Sequence, residues 1–326
     1  VSKKFRINPI LDKELIVNSR SIKFSIFVAV YNLVLMLIAL STFSMVTSVQ
    51  VGRIDYQQVM GIFPTIALIQ CLIISIAIPI LTASSIAGER ERQTLDVLLT
   101  TPVKPVQIVW GKIFSSMVTV LMYLLCSMPI MSLAFIFGGM SWISIIKFIF
   151  LVLIASLLAG SIGVFTSSVT KKTIASIIIS LIILGVFIFG TAMLFGVILG
   201  LINLVFNSSS TINYKMFFAP ALVLGNPAVL VGNSVVQEFS GFGIPDLAKE
   251  FKSNLMPHMY FVIRHWTIFS IIVHLLFTRM FVGLASRAIN PLKGKTPKQA
   301  RVVNNNNSNN NNSNNINNNP TPMPEG

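Results

Sequence analysis

Residues 89–112 read ERERQTLDVLLTTPVKPVQIVWGK. The run opens with alternating acid and base at Glu89, Arg90, Glu91 and Arg92. It then passes through leucines and closes on prolines, Trp110, Gly111 and Lys112. Its flanks are different in kind. Residues 59–87 and 113–137 hold no acidic or basic side chain. At 1.5 Å per residue, either flank is long enough to cross ~30 Å of hydrocarbon as a helix. A charged segment between two such flanks is a connection at a membrane surface, and the chain is read as an all-α polytopic membrane protein.

Composition agrees with this reading. The 326 residues are 54% hydrophobic and only 10% charged, where a soluble domain carries about 25% charge. Mean hydropathy is +0.79. The apolar stretches are long and do not alternate, which excludes an outer-membrane barrel built from segments of about ten residues. The formal net charge of +14 is carried beside apolar runs. It therefore points to anchoring against anionic lipid, with no nucleic acid as partner.

Six membrane spans are expected, at about 24–46, 59–87, 113–137, 143–169, 174–206 and 260–284, within a transmembrane domain of 24–287. Pro64 and Pro79 are expected to kink the second span. The fifth is longer than a bilayer needs and must tilt or project. Ala155, Ser156, Ala159, Gly160 and Gly163 line part of the fourth, and Gly196 and Gly200 form a GxxxG in the fifth. Such small residues let helix backbones approach closely. In the sixth span His274 lies in the apolar zone, where a hydrogen bond to a neighbouring helix is its expected role. An ionisable residue at that depth is also a candidate for function.

Ahead of the spans, residues 1–23 place Ile10, Leu11, Leu15, Ile16 and Ile22 near helical spacing, with Asn8 as N-cap and Pro9 at the first helical position. An amphipathic helix lying on the membrane surface is expected. Six basic residues precede the first span and no small-residue cleavage site ends it, so this span is expected to be a retained anchor.

A long outer loop is expected over 207–259. Within it, 217–236 is uncharged but broken by Pro220, Gly225, Pro227 and Gly232. It reads as a seventh span, a re-entrant piece or a buried cap. Residues 246–254 look like a short amphipathic helix. The 288–326 tail is basic and then asparagine-rich, with nothing apolar to bury, and is expected to be disordered.

Charge orients the chain. With six spans, one side holds Lys3, Lys4, Arg6, Lys13, Arg20, Lys23, Arg90, Arg92, Lys104, Lys112, Lys171, Lys172, Arg279, Arg287, Lys293, Lys295, Lys298 and Arg301. The other holds only Arg53, Lys147, Lys215, Lys249, Lys252 and Arg264. The richer side is expected to be cytosolic, with both termini on it and the chain in the plasma membrane. Making 217–236 a full span would put the basic C-terminal stretch outside, which rejects a seventh span.

Catalytic chemistry is missing. Lys293-Gly294-Lys295-Thr296 superficially resembles the end of a P-loop. Ile289 stands where the required glycine belongs, and Pro291 interrupts. The spacing of Cys71, Cys126 and the three histidines suits no metal. No nucleophile, base and orienter can be assembled. Intramembrane acids are absent too, which argues against a proton-coupled carrier. The protein is expected not to be an enzyme and to bind no cofactor directly.

The opening stretch divides by pattern. Glu89 to Arg92 continue the second span as a helix, and Glu89 and Arg92 are three apart and able to pair. Leu95, Leu98 and Leu99 form an i, i+3, i+4 stripe with Asp96 on another side, a face suited to a partner's groove or the membrane surface. Thr101-Pro102 ends that helix, and Pro105 opens the next.

At these residues the chain resembles the membrane subunits of ABC-type exporters, the six-span type 2 permease class. Glu89-Arg90-Glu91, Thr94-Leu95-Asp96, Leu98-Leu99, Thr101-Pro102-Val103 and Gly111-Lys112 match the family's run between spans two and three. Asn8-Pro9-Ile10 through Lys13-Glu14-Leu15 resembles its N-terminal surface helix. Gln93 departs from the usual glycine. Lys104 stands in place of a capping Ser or Thr, and Gln107 in place of Glu. The resemblance implies a permease that exports an unidentified substrate. It implies a second permease, as homo- or heterodimer, in surrounding lipid, with cytosolic ATPase subunits that carry ATP and Mg. The coupling segment would use Glu89, Arg90, Glu91, Arg92, Thr94, Leu95, Asp96, Leu98, Leu99, Thr101 and Pro102. The competing readings are a non-transporting membrane scaffold that recruits a cytosolic partner, and a secondary carrier.

Overall fold

The computed structural model describes residues 22–48, 61–95, 105–132, 141–205, 220–250 and 257–289. The expected surface helix over 1–23, apart from its last two residues, lies outside these. So do Asp96, Leu98, Leu99, Thr101, Pro102 and the asparagine-rich tail. The chain divides into a unit of residues 1–288 and a second of 289–326, and the architecture below is that of the first.

Helices alone make up the regular structure of the described residues. They are α1 (Ile22–Ser48), α2 (Ile62–Glu91), α3 (Pro105–Cys126), α4 (Trp142–Val169), α5 (Thr173–Gly185), α6 (Thr191–Val205), α7 (Pro227–Ser240), α8 (Ile244–Glu250), α9 (Pro257–Arg264) and α10 (Trp266–Ile289). A π turn, Val186–Gly190, joins α5 to α6 into one long helix. Among the described residues six helices are long and apolar enough to cross a membrane: Phe24–Met45, Ile62–Glu91, Pro105–Cys126, Trp142–Val169, Thr173–Leu201 and Trp266–Ile289. The chain is an all-α polytopic membrane protein.

Local chemistry sets several boundaries. Ser141 caps α4, its hydroxyl accepting from Ile143 N at 3.3 Å. Pro105 opens α3, where its missing N–H costs nothing. Pro64 falls in the first turn of α2, so it starts that helix where a kink was expected, and only Pro79 stands in the interior. The sixth span also differs from expectation. A turn at His265 separates α9 from α10, because the chain re-anchors at Trp266, whose fully buried indole N–H donates to Pro220 O at 2.8 Å.

α4 is the centre. It packs on α2, α3, α5 and α7, and Leu151, Leu158 and Ile162 are among its fully buried side chains. Its small residues meet α2. A methyl group on Gly160 would touch Thr82 and Ile78 at 3.5 and 3.7 Å, while one on Gly163 would overlap Thr82 Oγ1. In a membrane, where lipid is as apolar as leucine, such close backbone approach is what holds helices together. A methyl group on Gly196 or Gly200 would meet nothing within 4 Å, so the expected GxxxG brings no helix close among the described residues.

The expected long loop 207–259 is folded back into the bundle over much of its described part. Ser270 Oγ donates to Leu224 O at 2.7 Å. Asn226 is buried and caps α7, its Oδ1 accepting from Ala228 N and Val229 N. Its Nδ2 donates to Ile188 O at 2.9 Å and Thr191 Oγ1 at 2.7 Å, at the π turn. Ile188 stands about 22 Å along the helix from Thr173. The 220–226 turn thus reaches deep between helices, and α7 returns with Leu230, Val231 and Val235 buried in the main core. Non-helical backbone at such depth is tolerated only where protein surrounds it. Residues 220–236 are thus a turn and a helix packed among the other helices.

Candidate functional site at the end of α2

α2 ends in a Schellman motif. Gln93 N donates to Arg90 O at 3.1 Å and Thr94 N to Glu89 O at 2.9 Å, the paired bonds that close a helix through a left-handed residue. That residue is Gln93, with φ of 58°. It sits at the position where the family pattern carries glycine. After the reversal Leu95 is buried, while Arg92, Gln93 and Thr94 are exposed.

Three consecutive side chains at this end reach three different helices. Glu89 Oε1 takes Lys112 Nζ of α3 at 2.6 Å, with the lysine side chain only 7% exposed. A buried ammonium is costly unless paired, and this carboxylate pairs it. Glu89 Oε2 is buried with no hydrogen-bond partner among the described residues. Arg90 turns to α4. Its Nη1 donates to Thr170 O at 2.6 Å and its Nη2 to Ser168 O at 3.1 Å. These are carbonyls at a helix C-terminus, which lack intrahelical donors and favour a cation. Glu91 turns to α5. It accepts from Thr173 N at 3.0 Å and from Thr173 Oγ1 at 2.6 Å, placing a carboxylate at a helix N-terminus, where the dipole favours an anion.

The backbone of α2 joins in. Ser167 Oγ, fully buried, accepts from Ile86 N at 2.9 Å and Ala87 N at 2.7 Å. The end of α2 is therefore bonded to Ser167, Ser168, Thr170 and Thr173, from the last turn of α4 to the first of α5.

Sequence reasoning named Glu89, Arg90, Glu91, Thr94 and Leu95, and the structure brings them to one helix end. Arg92 is exposed beside them. Its expected pairing with Glu89 gives way to Lys112, because Arg92 is the C-cap residue, past the last helical position that would bring it over Glu89. Ser167, Ser168, Thr170 and Thr173 were missed. Their signal was the small polar run Ser167-Ser168-Val169-Thr170 beside the basic pair Lys171-Lys172, which reads as a mere turn until something is seen to dock on it. His274 is fully buried, but its Nδ1 lies 2.7 Å from Ser270 O on its own helix, not a neighbour's, and its Nε2 has no partner among the described residues.

Arg90 and Glu91 are thus committed to the helix ends at Ser168, Thr170 and Thr173, and Glu89 to Lys112 within α3. The model of the ABC-2 family transporter protein matches residues 9–240 of the chain. No curated protein matches it.

Proposed function

The chain belongs to the ABC-2 family of transporter proteins, and from that premise we propose that the end of α2 and residues 96–102 form the site through which ATP hydrolysis drives it. The protein is a multi-pass membrane permease of an ABC transporter, and the family associates with ABC ATPase subunits. Beyond this, the reading is that ATP and Mg sit on those separate subunits, that the Glu89 end of the bundle faces the cytosol with both termini, and that the substrate is exported across the plasma membrane. A second permease, identical or related, completes the path, in contact with lipid.

The observation that carries the proposal is the divergence of Glu89, Arg90 and Glu91 onto α3, α4 and α5. One short segment that grips three helices is what a coupling device requires, since only a contact that differs between two states can bias them. The sequence match and the excess of basic residues on this side support the same assignment.

The test is co-purification with an ABC ATPase and ATP turnover by the complex in lipid. Leu98→Asp puts a carboxylate on the expected docking face and should lower turnover at least about tenfold, equivalent to about 1.4 kcal/mol. Substrate movement by this chain alone under an ion gradient would overturn the proposal.

A further inference from the structure

Arg90 and Glu91 are consecutive and oppositely charged, and both end on the same short turn. Arg90 holds the outgoing end of α4 through two carbonyls, and Glu91 holds the incoming end of α5 through an N–H and a hydroxyl. Each charge matches the partial charge of the helix terminus it meets, and charge-assisted hydrogen bonds are the stronger kind. Ser167 adds two bonds to the α2 backbone. One turn of helix deeper, Gly163 admits Thr82 with no space to spare. α3, by contrast, is tied to this end through Glu89 and Lys112 and through the intervening chain.

We propose that the 168–173 turn moves as one piece with the end of α2, with Arg90 and Glu91 as the positioning residues that hold it. A displacement imposed on the segment after Glu91 then reaches α4 and α5 directly, as well as α2 and α3 through the chain itself. The proposal rests on the reading of that segment as the ATPase contact.

Spin-label distances in the complete transporter, reconstituted in lipid nanodiscs with its ATPase subunits, test this. In a Cys71→Ser, Cys126→Ser background, one pair joins Lys171→Cys on the turn to Met280→Cys on the exposed face of α10. A second joins Arg92→Cys at the α2 end to Met280→Cys. Distances are compared without nucleotide and with ATP, Mg and vanadate. With Arg90 and Glu91 present, both pairs should shift together. In Arg90→Ala with Glu91→Ala, the Arg92 pair should still shift while the Lys171 pair no longer follows. ATP turnover should fall severalfold, with the KM for ATP unchanged. Thr173→Val, which removes one bond and is the milder variant should the double one fail to fold, should loosen the following partially. Arg90→Lys should restore part of it. A Lys171 pair that stays fixed while the Arg92 pair shifts would overturn the inference alone. So would one that follows equally without Arg90 and Glu91. Failure of both pairs to shift, with the ATPase bound, would overturn the coupling assignment along with it.

Discussion

Gln93 shows how much one residue can disclose. A left-handed backbone costs a side chain-bearing residue roughly 1–2 kcal/mol, and glycine adopts it freely. Gln93 is the one such non-glycine residue among those described. Gln93→Gly should therefore raise stability by about 1 kcal/mol, read as an upward shift in thermal unfolding of the detergent-solubilised protein, with the Schellman bonds kept. Unchanged or lower stability would mean that the glutamine side chain holds the turn by contacts of its own. The departure at this position was visible in the sequence as a mismatch to the family run. What could not be read there was its meaning, because φ is set by the helix reversal and not by the residue type.

Helices and turns were legible to different degrees. The spans follow from length and apolarity, which are properties of one segment at a time. The fate of 217–236 was not fixed by its own composition. Its breakers Pro220, Gly225 and Pro227 announce turns, and Asn226 before Pro227 announces a cap, but only the π turn of another helix decides where the cap's amide goes. Asn226→Leu removes the α7 cap and both amide donations. It should destabilise the protein by about 2–3 kcal/mol, with faster hydrogen exchange over 220–235 than over α2. Beyond the far end of α7, Asp246 accepts from Lys249, from Gly243 N and from Gln237. The lysine bond first, then the backbone N–H, holds its carboxyl below the ordinary value. A depressed carboxyl contributes stability above its unfolded pKa of about 3.9 and loses it as pH falls through the lower folded value. Protection of residues 241–250 should accordingly decline below about pH 4, and Asp246→Asn should show little pH dependence there. Persistence of the decline in that variant would assign it elsewhere.

For the molecule as a whole, burial separates glycines that look alike in sequence. Gly163 lies at the α2–α4 seam, and Gly200 meets nothing within 4 Å. Gly163→Leu should cost at least about 1–3 kcal/mol by overpacking, while Gly200→Leu should stay within about 0.5 kcal/mol of the parent in monomeric, detergent-solubilised protein. Equal effects would contradict the placement of α4 at the centre. Both glycines belonged to small-residue patterns of similar appearance. A pattern shows that helices are able to approach, and the arrangement of all the spans decides which do. The proposed coupling site was legible in the same partial way. Its charges stood out against the apolar flanks, whereas their partners on α4 and α5 are ordinary serine and threonine groups some eighty positions further on.

That separation has a consequence for how the protein is made. Ribosomal synthesis delivers Glu89, Arg90 and Glu91 long before the groups they bind. Lys112 emerges first, then the carbonyls of Ser168 and Thr170, and Thr173 last. The three charges are satisfied in their own order along the chain. A nascent chain halted after α4 would hold Glu91 without its partner Thr173, and the emergence of the fifth span is the event that finishes the site.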